Sequence, residues 1–139
     1  IVASDDTSNY KIVKRNDFAF NPARINVGSI ARLTTFERGI VSPMYICFRT
    51  KDILLPEYLD YYFKSKQFST EIQKRLEGSV RQCLSFDGLC NIPLSVPAIE
   101  IQQQIGKRLS ALVQEINLEI DFLELLQKQK KFLLYQMFI

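Results

Sequence analysis

Two hydrophobic periods divide this 139-residue chain. In the first third apolar positions come in short alternating runs. "YKIVKRNDFAF" places Tyr10, Ile12, Phe18 and Phe20 between polar or small residues and predicts a short strand, a polar turn and a second strand. Asn21-Pro22 ends that run, because proline fixes its own φ and biases the residue before it to an extended or turn conformation. "VGSIARL" resumes as a strand in which Gly28 weakens the interior or marks a bulge. "GIVSPMYICF" predicts a further strand, with Pro43 putting that part at an edge or a bulge.

The period then changes. "LPEYLDYYFKSKQFSTEIQKRLEG" is helical: Pro56 suits a first helical position, and Leu59, Tyr62 and Phe63 share a face. Phe68, Ile72 and Leu76 follow on a second helix, with Gly78 placed to end it. "SVRQCLSFDGLCNIPLSVP" returns to turns and short extended pieces. From Ile99 to the end one long helical pattern runs without a proline. Its apolar stripe is Ile105, Leu109, Leu112, Ile116, Leu123, Leu126, Leu133 and Met137, interrupted by Glu119 and Lys130 and widened by Val113, Ile120 and Leu134. At 1.5 Å per residue such a helix is about 60 Å long, against a radius of gyration of about 13 Å for a 100-residue domain. It is expected to project and to bury its stripe on another helix; folding back over its own domain is the alternative. The predicted class is α+β: a mixed, twisted, β-rich domain with short helices over residues 1–98, then one projecting helix of coiled-coil type over 99–139.

Charge sharpens this picture. Lys11, Lys14, Arg15, Arg24, Arg32, Arg38, Arg49 and Lys51 face only Asp17 and Glu37, a surplus of six positive charges between residues 11 and 51. The last forty residues hold five charges of each sign. A positive patch confined to one part of a fold points to a polyanion partner, or else is a solvated basic face.

Catalytic chemistry has little to rest on. The chain has no histidine, which removes the commonest general base and metal ligand. Ser42 and Ser85 lack nucleophile-elbow glycines, and "GSVRQCLSFDG" lacks the Lys-Ser/Thr pair of a phosphate loop. Cys47, Cys83 and Cys90 form no Cys-x-x-Cys pair and read as buried thiols of a reducing, intracellular protein. There is no apolar run long enough to span a membrane and no signal-peptide pattern. A cytoplasmic, non-catalytic protein without metal or cofactor is expected.

The order of segments resembles the target recognition domain of the specificity (S) subunits of type I restriction-modification systems. The resemblance rests on Asp17–Phe18, Asn21–Arg24, Gly28–Ile30 and Gly39–Tyr45, then on "LPEYLDYYFKSKQF", "GSVRQCLSFDGLCNIPLSVP", "IEIQQQIGKRLSALVQEIN" and "KQKKFLLYQMF". It covers Tyr10 to Phe138. Where the family commonly has Glu-Gln at the start of the long helix, this chain has Ile101-Gln102. The resemblance implies sequence-specific recognition of double-stranded DNA, each recognition domain reading one half of a bipartite target. It implies two long helices packed as an antiparallel coiled coil, with methyltransferase (M) subunits along them and a restriction (R) subunit added. Measured against a whole S subunit, this chain is expected to be an N-terminally trimmed half, which pairs with a second recognition domain or with its own copy.

Asn21, Arg24, Arg32, Arg38, Arg81 and Gln82 are the candidate DNA contacts, because Arg can grip guanine and Asn or Gln adenine in the major groove. Each is also a plausible surface arginine or turn residue. Asn-x-x-Arg recurs in family members that read different sequences, so Arg24 is expected to be a DNA-backbone or structural contact rather than a base reader. The reading from another class is a protein-interaction module with a coiled-coil dimerisation stalk.

Overall fold

The computed structural model describes residues 7–76 and 83–138. The chain divides into two compact units, Ile1–Gln103 and Gln104–Ile139. In the first unit the elements are β1 (Lys11–Lys14), β2 (Phe18–Phe20), a 3-10 turn (Ile25–Val27), β3 (Ile30–Arg32), β4 (Arg38–Val41), β5 (Ile46–Phe48), α1 (Pro56–Phe63), α2 (Lys66–Arg75) and α3 (Phe86–Cys90). The long helix α4 (Ile99–Met137) has 39 residues, matching the expected length.

The strands form two small antiparallel sheets. One is β3-β2-β5 and the other is β1-β4. β2 is central because "FAF" fits a strand flanked on both sides: Phe18 and Phe20 lie on one face and are fully buried. Phe18 stacks on Phe48 with ring centroids 5.2 Å apart and meets Phe63 edge-on at 5.5 Å. Phe20, Ile25, Phe68, Ile72, Leu84, Leu89 and Ile92 make the core beneath, so α2 and α3 close the sheet's buried face. Burying each such side chain is worth about 1.5–3 kcal/mol.

The helix starts follow local chemistry. Pro56 opens α1, and the side chains of Ser65 and Ser85 cap α2 and α3 by accepting from the amides of Phe68 and Gly88. In the first turn of α4, Gln102 is 1% exposed. Its Oε1 accepts from the Leu55 amide at 2.8 Å, and its Nε2 donates to the carbonyls of Ile53 at 2.9 Å and Pro97 at 2.8 Å.

Several expectations are corrected. Within β1 the buried residue is Val13, whereas Ile12 is 66% exposed. "GIVSPMYICF" is two strands rather than one, with Ser42-Pro43 in the turn that carries the chain from the β1-β4 pair to the other sheet. Gly28 lies outside β3; at φ +83° it ends the 3-10 turn, a left-handed conformation that suits glycine. "FDGLC" is the helix α3, not a turn. Gly78 lies outside the described residues.

Candidate nucleic-acid interface

The segment Asn21–Arg24 is a turn held at every backbone position that matters. Asn21 is 8% exposed. Its Oδ1 accepts from the Ala23 amide at 3.0 Å and its Nδ2 donates to Met44 Sδ at 3.5 Å. The Asn21 amide donates to Ser29 O, the Arg24 amide to Asn21 O, and the Leu84 amide to Pro22 O, each at 3.0 Å. The Arg24 carbonyl accepts from Val27 and Ser29. Arg24 therefore has a pinned backbone and an exposed side chain, which has no partner among the described residues.

This geometry divides the sequence candidates. Asn21 is spent on the turn, so it is a turn-former rather than a free base-reading amide. Arg32 is also internal: its side chain is 12% exposed and its guanidinium meets Glu57 Oε1 at 2.6 Å, Asp60 Oδ2 at 3.9 Å and Asn16 Oδ1 at 3.0 Å. It ties β3 to α1. Arg38 is exposed on β4 with no side-chain partner among the described residues. Arg81 and Gln82 lie outside the described residues.

The same accounting applies to all eight cations of the basic third. Lys11 donates to Tyr45 O at 2.8 Å, Arg15 pairs with Glu37 at 2.8 Å, and Arg49 pairs with the buried Asp17 at 3.0 Å. With Arg32, half of the set serves the fold. Lys14, Arg24, Arg38 and Lys51 remain exposed and unpaired among the described residues. Lys14 and Lys51 were not among the sequence candidates. Lys14 could have been found only from strand register, because it is directly opposite Arg38.

In α4, Ile105 and Leu109 are half-buried, while Leu112, Ile116, Leu123, Leu126, Leu133 and Met137 are exposed. The stripe is thus an exposed apolar row from Leu112 onward. A second exposed row, Leu118, Phe122, Leu125 and Phe132, runs along the helix at the same alternation of four and three, passing through Gln129. Phe122, Leu125 and Phe132 each immediately precede a residue of the first row (Leu123, Leu126 and Leu133), so the rows lie about 100° apart around the axis. The second row was legible in the spacing but was masked by the stronger first one.

Comparison with known proteins bears on these surfaces. No curated protein matches this chain in sequence. Among solved structures it is similar to the HsdS subunit from Thermoanaerobacter tengcongensis, with a TM-score of 0.66 and 20% identity, over 81% of this chain and 30% of that one. The chain thus spans less than a third of that subunit's length, and the likeness is one of fold. The sequence profile of the type I restriction modification DNA specificity domain matches residues 2–131. With the profile covering nearly the whole chain, and the order of sheet, short helices and long helix agreeing with the solved subunit, the chain belongs to the type I restriction modification DNA specificity domain family.

Proposed function

We propose that this chain reads double-stranded DNA as the specificity subunit, or half-subunit, of a type I restriction-modification complex. Residues 1–98 act as the recognition domain and 99–139 as the spacer and pairing helix. The observation that carries this reading is the set of cations Lys14, Arg24, Arg38 and Lys51, exposed and unpaired among the described residues, while the other four in the basic third each have a partner within the chain. Arg24 has the most constrained mount and contacts the DNA backbone, positioning the domain without specifying sequence. Arg38 is a second contact, and Arg81 and Gln82 remain candidates for base reading.

The chain itself is not catalytic. Methyl transfer and cleavage belong to M and R subunits, which this subunit directs to one half of a split target in the cytoplasm. The exposed row Leu112–Met137 pairs with the long helix of a second recognition domain or of a second copy, as an antiparallel pair. The second row of α4 offers further apolar surface to M subunits.

Binding to a pool of random 30-base-pair duplexes, measured by fluorescence anisotropy across salt concentrations, tests the central claim. Each neutralised phosphate steepens the log–log salt dependence by about 0.9. Several such contacts are expected, and repeated selection from the pool should enrich a half-site. No binding at 50 mM salt, or a slope near zero, overturns the reading. For the helix, light scattering should show a dimer that Ile116→Asp with Leu123→Asp converts to a monomer; a wild-type monomer with an ordered helix rejects the pairing.

A further inference from the structure

The β1-β4 ribbon has an outward face that the fold itself does not explain. The register pairs Ile12 with Ile40 and Lys14 with Arg38. Residues two apart on a strand share a face, so these four side chains form one two-by-two patch, an isoleucine pair beside a cation pair. All four are exposed, Ile12 at 66% and Ile40 at 54%. The opposite face carries Val13, which is buried, and Lys11, whose ammonium is bound to the Tyr45 carbonyl.

Each half of the patch is unfavourable for a ribbon left in water. Like charges directly across an antiparallel pair repel and destabilise it. No carboxylate among the described residues pairs with Lys14 or Arg38; Glu37, beside Arg38 in sequence, is occupied by Arg15. A cross-strand isoleucine pair exposes apolar surface where a soluble sheet usually turns polar residues outward. An anionic partner with an apolar edge resolves both at once.

We propose that this outward face is where the DNA duplex is gripped: Lys14 and Arg38 together bind phosphates of one strand, and Ile12 and Ile40 pack on the adjoining sugar and thymine-methyl edge. The inference rests on the DNA-reading function and assigns its phosphate grip to a particular surface. The chemistry matches. Arg offers a planar fork and Lys a point charge to phosphate oxygens. A two-stranded ribbon fits a major groove about 12 Å wide, where the thymine methyl is the apolar feature. The native repulsion between the two cations is relieved when phosphates lie between them, so the ribbon gives up stability when free to favour the bound state.

The test compares the chain with Lys14→Gln/Arg38→Gln on random duplex. Losing two phosphate contacts should lower the salt slope by about 1.8, so the affinity lost between 50 and 200 mM salt shrinks by about 12-fold. The unbound double variant should melt at or above the wild-type temperature. Arg38→Lys, which keeps the charge, should keep the slope, and Ile12→Thr/Ile40→Thr should weaken binding at every salt concentration without changing the slope. A wild type that binds DNA, beside a folded double variant with an undiminished slope, overturns this surface and leaves the DNA-reading function standing. A wild type that binds no duplex defeats both. Competition by polyglutamate at equal charge concentration, as strong as that by duplex, would assign the patch to an acidic polypeptide and reject the proposal.

Discussion

Gln102 gives the sharpest test of how the first unit is held together. Replacement by leucine keeps the size and removes every polar atom. The wild-type amide makes three hydrogen bonds, to Leu55, Ile53 and Pro97, and the side chain is 1% exposed. A net contribution of about 1 kcal/mol per bond gives roughly 3 kcal/mol, and the Leu55 amide and two carbonyls are left without their partner, which adds to the cost. The added apolar character of leucine offsets about 1 kcal/mol of this. The expected loss is therefore about 2–4 kcal/mol, a large share of the roughly 5–15 kcal/mol that stabilises a domain. At about 4–8 °C per kcal/mol for a domain of this size, melting should fall by roughly 10 °C or more. Far-ultraviolet dichroism would be dominated by the 39-residue α4, so the transition should be followed by tyrosine signals. Five of the six tyrosines (Tyr10, Tyr45, Tyr58, Tyr61 and Tyr62) are in the first unit, and there is no tryptophan. Gln102→Glu keeps the acceptor for Leu55 but offers the two carbonyls no donor when ionised, and should be at least as destabilised at neutral pH. A Gln102→Leu protein within about 0.5 kcal/mol of wild type in urea unfolding would refute the claim that this amide organises the junction of Ile53–Leu55, Pro97 and the α4 first turn.

Arg32→Ala should cost about 1.5–3 kcal/mol, because it removes the charge-assisted bond to Glu57 at 2.6 Å and the longer ion pair with Asp60 at 3.9 Å, whereas Arg24→Ala should stay within about 0.5 kcal/mol of wild type and weaken DNA binding; equal melting of the two variants would reject the division between internal and outward arginines. Hydrogen bonds from Lys74 and then Arg75 hold the Glu71 carboxyl below its ordinary range, so its contribution is complete above that range and fades as pH falls through the lowered value; Glu71→Gln should flatten the acid limb of stability against pH. Burial, more than the opposing charge of Lys11, pushes the Cys47 thiol up, while Cys90 is exposed; mass spectrometry after brief alkylation at neutral pH should find Cys90 modified well before Cys47. The purified chain, given S-adenosylmethionine, Mg²⁺ and ATP, should neither methylate nor cut DNA, and activity that persists through further purification would reject the non-catalytic reading.

Elements defined by local periodicity were legible in the residues alone. Long-range helical spacing without proline marks α4 to within a residue of its start, and Pro56 marks the first turn of α1, because these signals act over one or two turns. The aromatic alternation of Phe18 and Phe20 is equally local. The basic third was also visible as composition. What composition left open is which cations are free, since an arginine's partner is chosen by contacts between residues far apart in sequence. Arg32 looked like Arg38 on paper, yet β3 carries it to Glu57 and Asp60 on α1, while β4 carries Arg38 outward beside Lys14. Sheet membership was likewise undecidable locally: alternation tells that β1 and β2 are strands, but only pairing energy across the fold sends β1 to β4 and β2 between β3 and β5. That choice determines which face of β1 is buried, and so places Ile12 and Lys14 outward and Val13 inward. Gln102 shows the same limit from the other side: a glutamine in a helix start reads as surface until the carbonyls of Ile53 and Pro97 and the amide of Leu55 converge on it.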